Sequence, residues 1–236
     1  MTGSGNTRLT ERDIELFRYL NEQKVMVSSQ IYGIFWSDTS SISGTVRQRL
    51  TKLIESGYIR TLEVKRYWHK LNLYTLTANG IKALKDLGLD HGFLEIKGIH
   101  PLQIEHTLKL VNVRGVMRKL GAHNWRSERV IRKEDAGQGW FPDADLELHG
   151  LRIAFELENK CRSKDRHVSR IATYAHENNY TLVIFVVCQA AVMSWLLDLE
   201  MPQDKIGFVH YDELIQKSGN AMVRNKSSQI QLGSLF

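Results

Sequence analysis

The sequence predicts two domains that each mix helix and strand: an N-terminal α+β unit and a C-terminal α/β unit with a mixed sheet. Three observations predict it. Residues 10–87 read as three helices, a basic hairpin and a closing helix. Residues 101–210 read as a long helix, a hairpin about His149-Gly150, and β-branched strands alternating with helices. Between them, residues 89–98 form a connector flanked and interrupted by Gly88, Gly92 and Gly98, so the domains are expected at 1–97 and 98–236.

In the first domain, Thr10 is an N-cap and Asp13 completes an approximate capping box. Ile14, Phe17 and Leu20 follow at helical spacing. A second helix is expected over 28–35 and a third over 43–55, stopped by Gly57, with Val46, Leu50, Leu53 and Ile54 facing inward. Strands over 59–66 and 71–76 and a helix over 78–87 complete a pattern that matches a winged helix-turn-helix. In that arrangement the third helix enters the major groove and the hairpin touches the backbone. From Ser43 to Thr77, Arg47, Arg49, Lys52, Arg60, Lys65, Arg66 and Lys70 stand against Glu55 and Glu63 alone. That local excess of five is most of the chain's net charge of +6. Arg47, Arg49, Lys52, Lys65, Arg66 and Lys70 are therefore the candidate DNA-binding residues; the competing reading is a solvated face on a protein-interaction module.

In the second domain, Pro101 fits the first turn of a helix that runs to 120, with Ile104, Leu108, Val111, Val113, Val116 and Leu120 as its apolar positions and Gly121 as its stop. Residues 125–131 alternate as a strand. Hairpin strands are expected over 143–148 and 151–158, helices over 163–177 and 190–199, and further strands over 181–187 and 206–210. The hairpin requires antiparallel pairing, and the later crossovers favour parallel pairing.

The chemistry concentrates in FPDADLELHGLRIAFELENK, residues 141–160. Glu156, Glu158 and Lys160 alternate along one strand and so share a side of it. A carboxylate from the neighbouring strand can join them. Three carboxylates and a lysine there would suit a divalent-metal site that cuts a phosphodiester. Asp143 and Asp145 share a face, and either can be the contribution of the first strand.

PD followed by E-x-K, in this order of elements, resembles the PD-(D/E)XK nuclease superfamily. With the basic winged helix ahead of PDADLEL and FELENK, the chain resembles the MobC-type plasmid relaxases and related replication-relaxation proteins of mobile elements, over roughly residues 9–210. The resemblance implies a restriction-endonuclease-like mixed-sheet domain and a metal-dependent nick at an origin of transfer. It makes Asp143 and Glu158 the main ligands of Mg²⁺ or Mn²⁺, adds the carbonyl of Asn159, and offers Glu105 as an accessory ligand. Lys160 would orient or deprotonate the attacking water and stabilise phosphoryl charge. Glu156 would hold a second metal or bind through water. The implied partners are double-stranded and partly single-stranded DNA, with coupling and mobilisation accessory proteins.

Around this site, Lys164, Arg166, His167 and Arg170 read as a basic side of the next helix, with Tyr174 a turn beyond. Arg166 and Arg170 are phosphate candidates, and an ordinary exposed face is the alternative. His106 is read as a packing histidine. Trp68, Trp125 and Trp140 could stack on bases, but core packing is expected for Trp125 and Trp140, with Trp68 in the wing as the exception. No His-hydrophobe-His pair occurs, so the metal site of the commoner tyrosine relaxases is missing.

Two cysteines, Cys161 and Cys188, provide neither a disulfide framework nor zinc-ligand spacing. The polar start lacks a signal-peptide core and the longest apolar run, 182–188, is too short to cross a bilayer. The expectation is a soluble cytoplasmic protein without membrane insertion. The alternatives to a nicking enzyme are a DNA-binding accessory factor or regulator of a mobile element with a degenerate nuclease domain, and a restriction or transposition endonuclease making double-strand cuts.

Overall fold

The computed structural model describes residues 7–37, 42–66, 69–135, 140–159, 163–200 and 204–235, with the side chains of 42–43, 65–66 and 69–70 outside that set. It has two compact units, divided between Val111 and Asn112 inside one long helix. Together they make an α+β fold, with helices first and a mixed sheet after.

The first unit begins with α1 (Glu11–Gln23), where the Thr10 backbone N–H donates to Asp13 at 2.7 Å and the Asp13 N–H returns to the Thr10 hydroxyl at 3.3 Å. This is the capping box that the sequence predicts. After α1, Met26 forms an antiparallel bridge with Tyr74. Then come α2 (Ser28–Phe35) and α3 (Ile42–Glu55), which ends before Gly57 at φ +70°. Strands β1 (Ile59–Arg66) and β2 (His69–Leu76) pair antiparallel, and α4 (Ala78–Asp86) is capped by the Thr77 side chain. Leu16, Phe17, Leu20, Ile31, Leu50, Leu53 and Leu84 close one core. Ile54 corrects the sequence reading: it is 37% exposed. One position past Leu53, it turns about 100° off the stripe that Val46, Leu50 and Leu53 already fill.

The long helix α5 (Pro101–Lys119) spans the division; its first half packs Ile104 and Leu108 with Val25 and Leu73 of the first unit. In the second unit β3 (His123–Ser127) is shorter than the strand expected over 125–131, because residues 128–134 form helix α6 (Glu128–Glu134). Val130 and Ile131 are buried side by side, and Arg132 pairs with Glu128 at 2.7 Å one turn back, which is helical and not strand spacing. Strands β4 (Ala144–Leu148) and β5 (Leu151–Glu158) join through His149 at φ +47° and Gly150 at φ +77°. Positive φ at both positions is the turn that matches the natural twist of a hairpin. Then follow α7 (Lys164–His176), β6 (Leu182–Val187), α8 (Ala190–Leu197), β7 (Ile206–His210) and α9 (Tyr211–Lys217). A final hairpin of β8 (Met222–Arg224) and β9 (Gln229–Gln231) extends the sheet beyond what the sequence reading covered.

The sheet order is β3-β4-β5-β6-β7-β8-β9. Pairing is antiparallel from β3 to β5, parallel from β5 to β7, and antiparallel again at β8 and β9. One face carries Ala154, Val183, Phe185, Val187 and Phe208, packed with Ile171 and Tyr174 of α7 and Val192 and Leu196 of α8. Because strand side chains alternate, Glu156 and Glu158 point the same way as Ala154, under α7. No helix among the described residues is long and apolar enough to cross a membrane.

Candidate functional site

The site lies where the start of β4 and the end of β5 meet the buried stripe of α7. That stripe is His167, Arg170, Ile171 and Tyr174, at helical spacing, and three of its four members are polar. They face polar partners. Arg170 Nε donates to Glu156 Oε1 at 2.8 Å, and a second guanidinium nitrogen and the Tyr174 hydroxyl donate to the same oxygen. Arg170 Nη2 also reaches the carbonyl of Phe141 at 3.2 Å. Glu156 is 1% exposed, so this group of bonds is sealed from solvent.

Asp143 sits immediately before β4, and its Oδ2 accepts the Leu157 backbone N–H at 2.8 Å. A side chain thus supplies a hydrogen bond at the point where the ladder has not yet begun. Glu158, buried at the end of β5, lies 3.6 Å from His167 Nδ1. His167 in turn lies against Trp195, with centroids 5.8 Å apart, and the Lys164 ammonium is 5.4 Å from the same indole.

Burial is the largest influence on Glu156 and pushes its pKa well above the ordinary carboxylate range; the nearby Asp143 carboxylate pushes the same way, while Arg170 and Tyr174 pull against both. Burial disfavours charge on Arg170, yet Glu156, then Tyr174 and Asp143, hold its pKa above the usual value. The Tyr174 hydroxyl is raised by burial and by Glu156. The buried Glu156 thus feels a second carboxylate and a guanidinium, and the cation works against the repulsion between the anions.

Asp143, Glu156 and Glu158 occupy this one region of the sheet. Among the described residues, however, no three His, Cys, Asp or Glu side chains gather closely enough to hold a metal ion. The donor chemistry of Asp143, Glu158 and the Asn159 carbonyl suits Mg²⁺ or Mn²⁺, which prefer hard oxygens. Glu156 Oε1 already accepts from Arg170 and Tyr174. Lys160 lies outside the described residues. Glu105, in the first unit, pairs with Lys109 at 3.2 Å. Asp145 is fully buried between Arg126, at 2.9 Å to Oδ1, and Arg152, at 2.9 Å to Oδ2.

On α3, Arg47 and Lys52 are exposed, together with Thr45, Gln48 and Thr51. Arg49 is different: its Nε donates to Asp13 Oδ1 at 2.9 Å and its Nη2 to the Arg8 carbonyl at 2.9 Å. Hydrogen bonding to Asp13 raises its pKa. Burial works against the Asp13 charge, but Arg49 and Thr10 more than offset it, and that carboxyl titrates below its usual value. Arg60 pairs with Glu95 at 2.9 Å. The side chains of Lys65, Arg66 and Lys70, and all of Trp68, lie outside the described residues.

On α7, Arg166 is exposed while Arg170 is buried. Trp125 is partly buried and stacks on Phe155 at 5.7 Å, as core packing predicts. Trp140 does not follow that reading: it is 48% exposed. The sequence reading gave no site role to Tyr174, and for Trp140 it set base stacking below core packing. For Tyr174 the signal was its i+4 spacing from Arg170 on the inward stripe; for Trp140 no periodicity was available, because it precedes β4 in irregular chain.

A model of the replication-relaxation family matches residues 17–179, more than half of the sequence, and the chain belongs to that family. No curated protein and no solved structure matches it.

Proposed function

From its membership of the replication-relaxation family, we propose that this protein is a metal-dependent, site-specific endonuclease that nicks DNA at an origin of transfer. The first unit is read as a winged helix: three helices, a hairpin, and the Met26–Tyr74 bridge beside it support that reading. Its α3 would enter the major groove with Arg47 and Lys52, and the hairpin residues Lys65, Arg66 and Lys70 would contact phosphates. The second is read as a PD-(D/E)XK domain. Support comes from α5, an antiparallel β3-β4-β5 meander, α7 and a parallel β6 in that order.

The observation that carries the proposal is that Glu156 and Glu158 are both buried on one side of β5 beneath α7, with the Asp143 carboxylate near enough to push the Glu156 pKa up, since perturbed buried carboxylates concentrate at functional sites. Asp143, Glu158 and the Asn159 carbonyl would hold Mg²⁺ or Mn²⁺. The ion would polarise a phosphoryl oxygen and acidify a water. Lys160 would position that water and stabilise charge on the phosphate. Arg170 fixes Glu156 and neutralises it, so Glu156 acts by shaping the electrostatics beside Asp143 instead of by ligation. Arg166 would meet the phosphates that flank the cut.

A second reading is a DNA-binding accessory factor whose nuclease-like domain no longer cuts. The commitment of Glu156 to Arg170 and Tyr174 favours it, because it removes one carboxylate from the ligand set. Relaxation of supercoiled origin plasmid with Mg²⁺ or Mn²⁺ separates the two. The wild type should give nicked circles, and Glu158→Ala and Lys160→Ala should abolish them while duplex binding persists. Equal nicking by both variants, or none by the wild type with either ion, overturns the enzyme reading.

A further inference from the structure

An indole half open to solvent, beside the arginine that holds a buried carboxylate, needs an explanation. Trp140 is 48% exposed, and two guanidinium groups attend it: Arg170 at 5.2 Å and Arg166 at 5.9 Å from the ring centroid. The two arginines are one turn apart on α7, so both approach from the same helix. Arg170 is a fixed support. It is buried and bonded to Glu156 and to the carbonyl of Phe141, the residue next to Trp140. Arg166 is exposed, as is Lys164 two positions earlier. Only Phe141 and Pro142 separate Trp140 from Asp143, a chain length of at most about 11 Å.

From this we infer that Trp140 is a stacking platform for an unpaired base of the strand held at the carboxylates, with Arg166 meeting an adjacent phosphate. Stacking suits the arrangement because every base offers a π-face, so an aromatic ring with flanking cations grips single-stranded nucleic acid without reading its sequence. A duplex keeps its bases stacked on one another and has none to give. The platform therefore selects strand that is already melted, as a nicking site within supercoiled DNA is. A protein partner is the weaker fit, since two positive side chains lie over the ring and charge is depleted at the core of protein interfaces. The inference rests on the nucleic-acid half of the function proposed above and not on cleavage.

The test uses the full chain with chelator present, so that no strand is cut. The probe is a fluorescein-labelled thymidine homopolymer read by anisotropy, alongside a labelled duplex. Trp140→Ala should weaken single-strand binding by about ten-fold or more, given what one stacked base contributes. Trp140→Phe, which keeps a ring, should stay within about three-fold of wild type. Both variants should bind duplex as the wild type does, and circular dichroism should report unchanged folding. Any of three results overturns the inference: no single-strand binding by the wild type, undiminished binding by Trp140→Ala, or equal losses on single strand and duplex. Because nicking plays no part in the readout, a protein that binds in this way yet never cuts would sink the endonuclease and leave the platform standing.

Discussion

Replacing Arg170 with methionine tests the physical centre of the second unit. The substitution keeps much of the side chain's apolar volume and removes its charge, leaving Glu156 at 1% exposure with only the Tyr174 hydroxyl as donor among the partners described above. Breaking one side of a buried ion pair costs about 3–5 kcal/mol, most of it the penalty of the charge left behind. For a chain of this length that lowers Tm by roughly 10 °C. The loss should depend on pH with a fixed sign. Burial and Asp143 already push the Glu156 pKa above 4.5, and removing Arg170 pushes it further. A raised folded-state pKa means that the folded form binds a proton which the unfolded chain gives up near 4.5. Wild type and variant share that loss until the wild-type Glu156 begins to ionise, so the deficit is smallest below the wild-type folded-state value and grows as pH rises from there toward the variant's higher one. Arg170→Met/Glu156→Gln should recover most of the stability, because no buried charge remains; the coupling in the double-mutant cycle should reach about 2–3 kcal/mol. Urea denaturation followed by circular dichroism measures all four proteins, with unchanged m-values as the check on a common unfolded state. A single variant within about 0.5 kcal/mol of wild type, or a double variant as unstable as the single one, would refute the reasoning.

Two further predictions concern other charges. Arg49→Ala should destabilise the first unit by about 1–3 kcal/mol, because it strips the buried Asp13 of its guanidinium. Arg47→Ala and Lys52→Ala should leave melting within about 0.5 kcal/mol yet weaken duplex binding and reduce the salt slope by about one each. An Arg49→Ala protein with native melting and lost DNA affinity would reverse these roles. At the end of the sheet, hydrogen bonds from Arg224 hold the Glu213 pKa down to about 2 from 4.5. Its contribution is full above 4.5 and falls away as the pH drops toward 2, so the difference in melting between wild type and Glu213→Gln should shrink through that window. A difference that stays flat with pH would contradict it.

The elements most legible in the sequence were those that local chemistry determines. Thr10 with Asp13, the glycine at 57 and the His149-Gly150 turn each impose a backbone state through one or two residues, and each is found where the sequence places it. The strand expected over 125–131 failed for the opposite reason. WRSERVI alternates as well as a short strand does, and its conversion to helix after Ser127 depends on contacts from elsewhere, such as the Glu128 N–H donating to the Asp143 carbonyl at 2.8 Å. Charge counting misled in a similar way. Seven basic residues between Ser43 and Thr77 give a strong field from the sequence, but Arg49 and Arg60 spend their charge on Asp13 and Glu95. Those carboxylates are too far along the chain for any local pattern to reveal.

The candidate site was legible as a set of side chains but not as a set of bonds, and the reason lies in α7. Read by residue type, Lys164, Arg166, His167 and Arg170 are one basic surface. Read by helical phase, positions 167, 170, 171 and 174 are the buried stripe, and Arg166 alone of the two arginines remains outside. A helix whose inward stripe is polar must be covering something polar, since burying a guanidinium against hydrocarbon would cost far more than packing returns. That demand, applied to α7 beside a strand reading FELEN, is met by pairing Arg170 with a carboxylate of β5. Of the two carboxylates, Glu156 lies farther from the strand end and so deeper under the helix, and it is the one that takes the arginine. Glu158, at the last position of β5, is buried against His167 with Asn159 next to it. The different partners of the two glutamates thus follow from their order along the strand: the inner one takes Arg170 and Tyr174, and the outer one lies against His167.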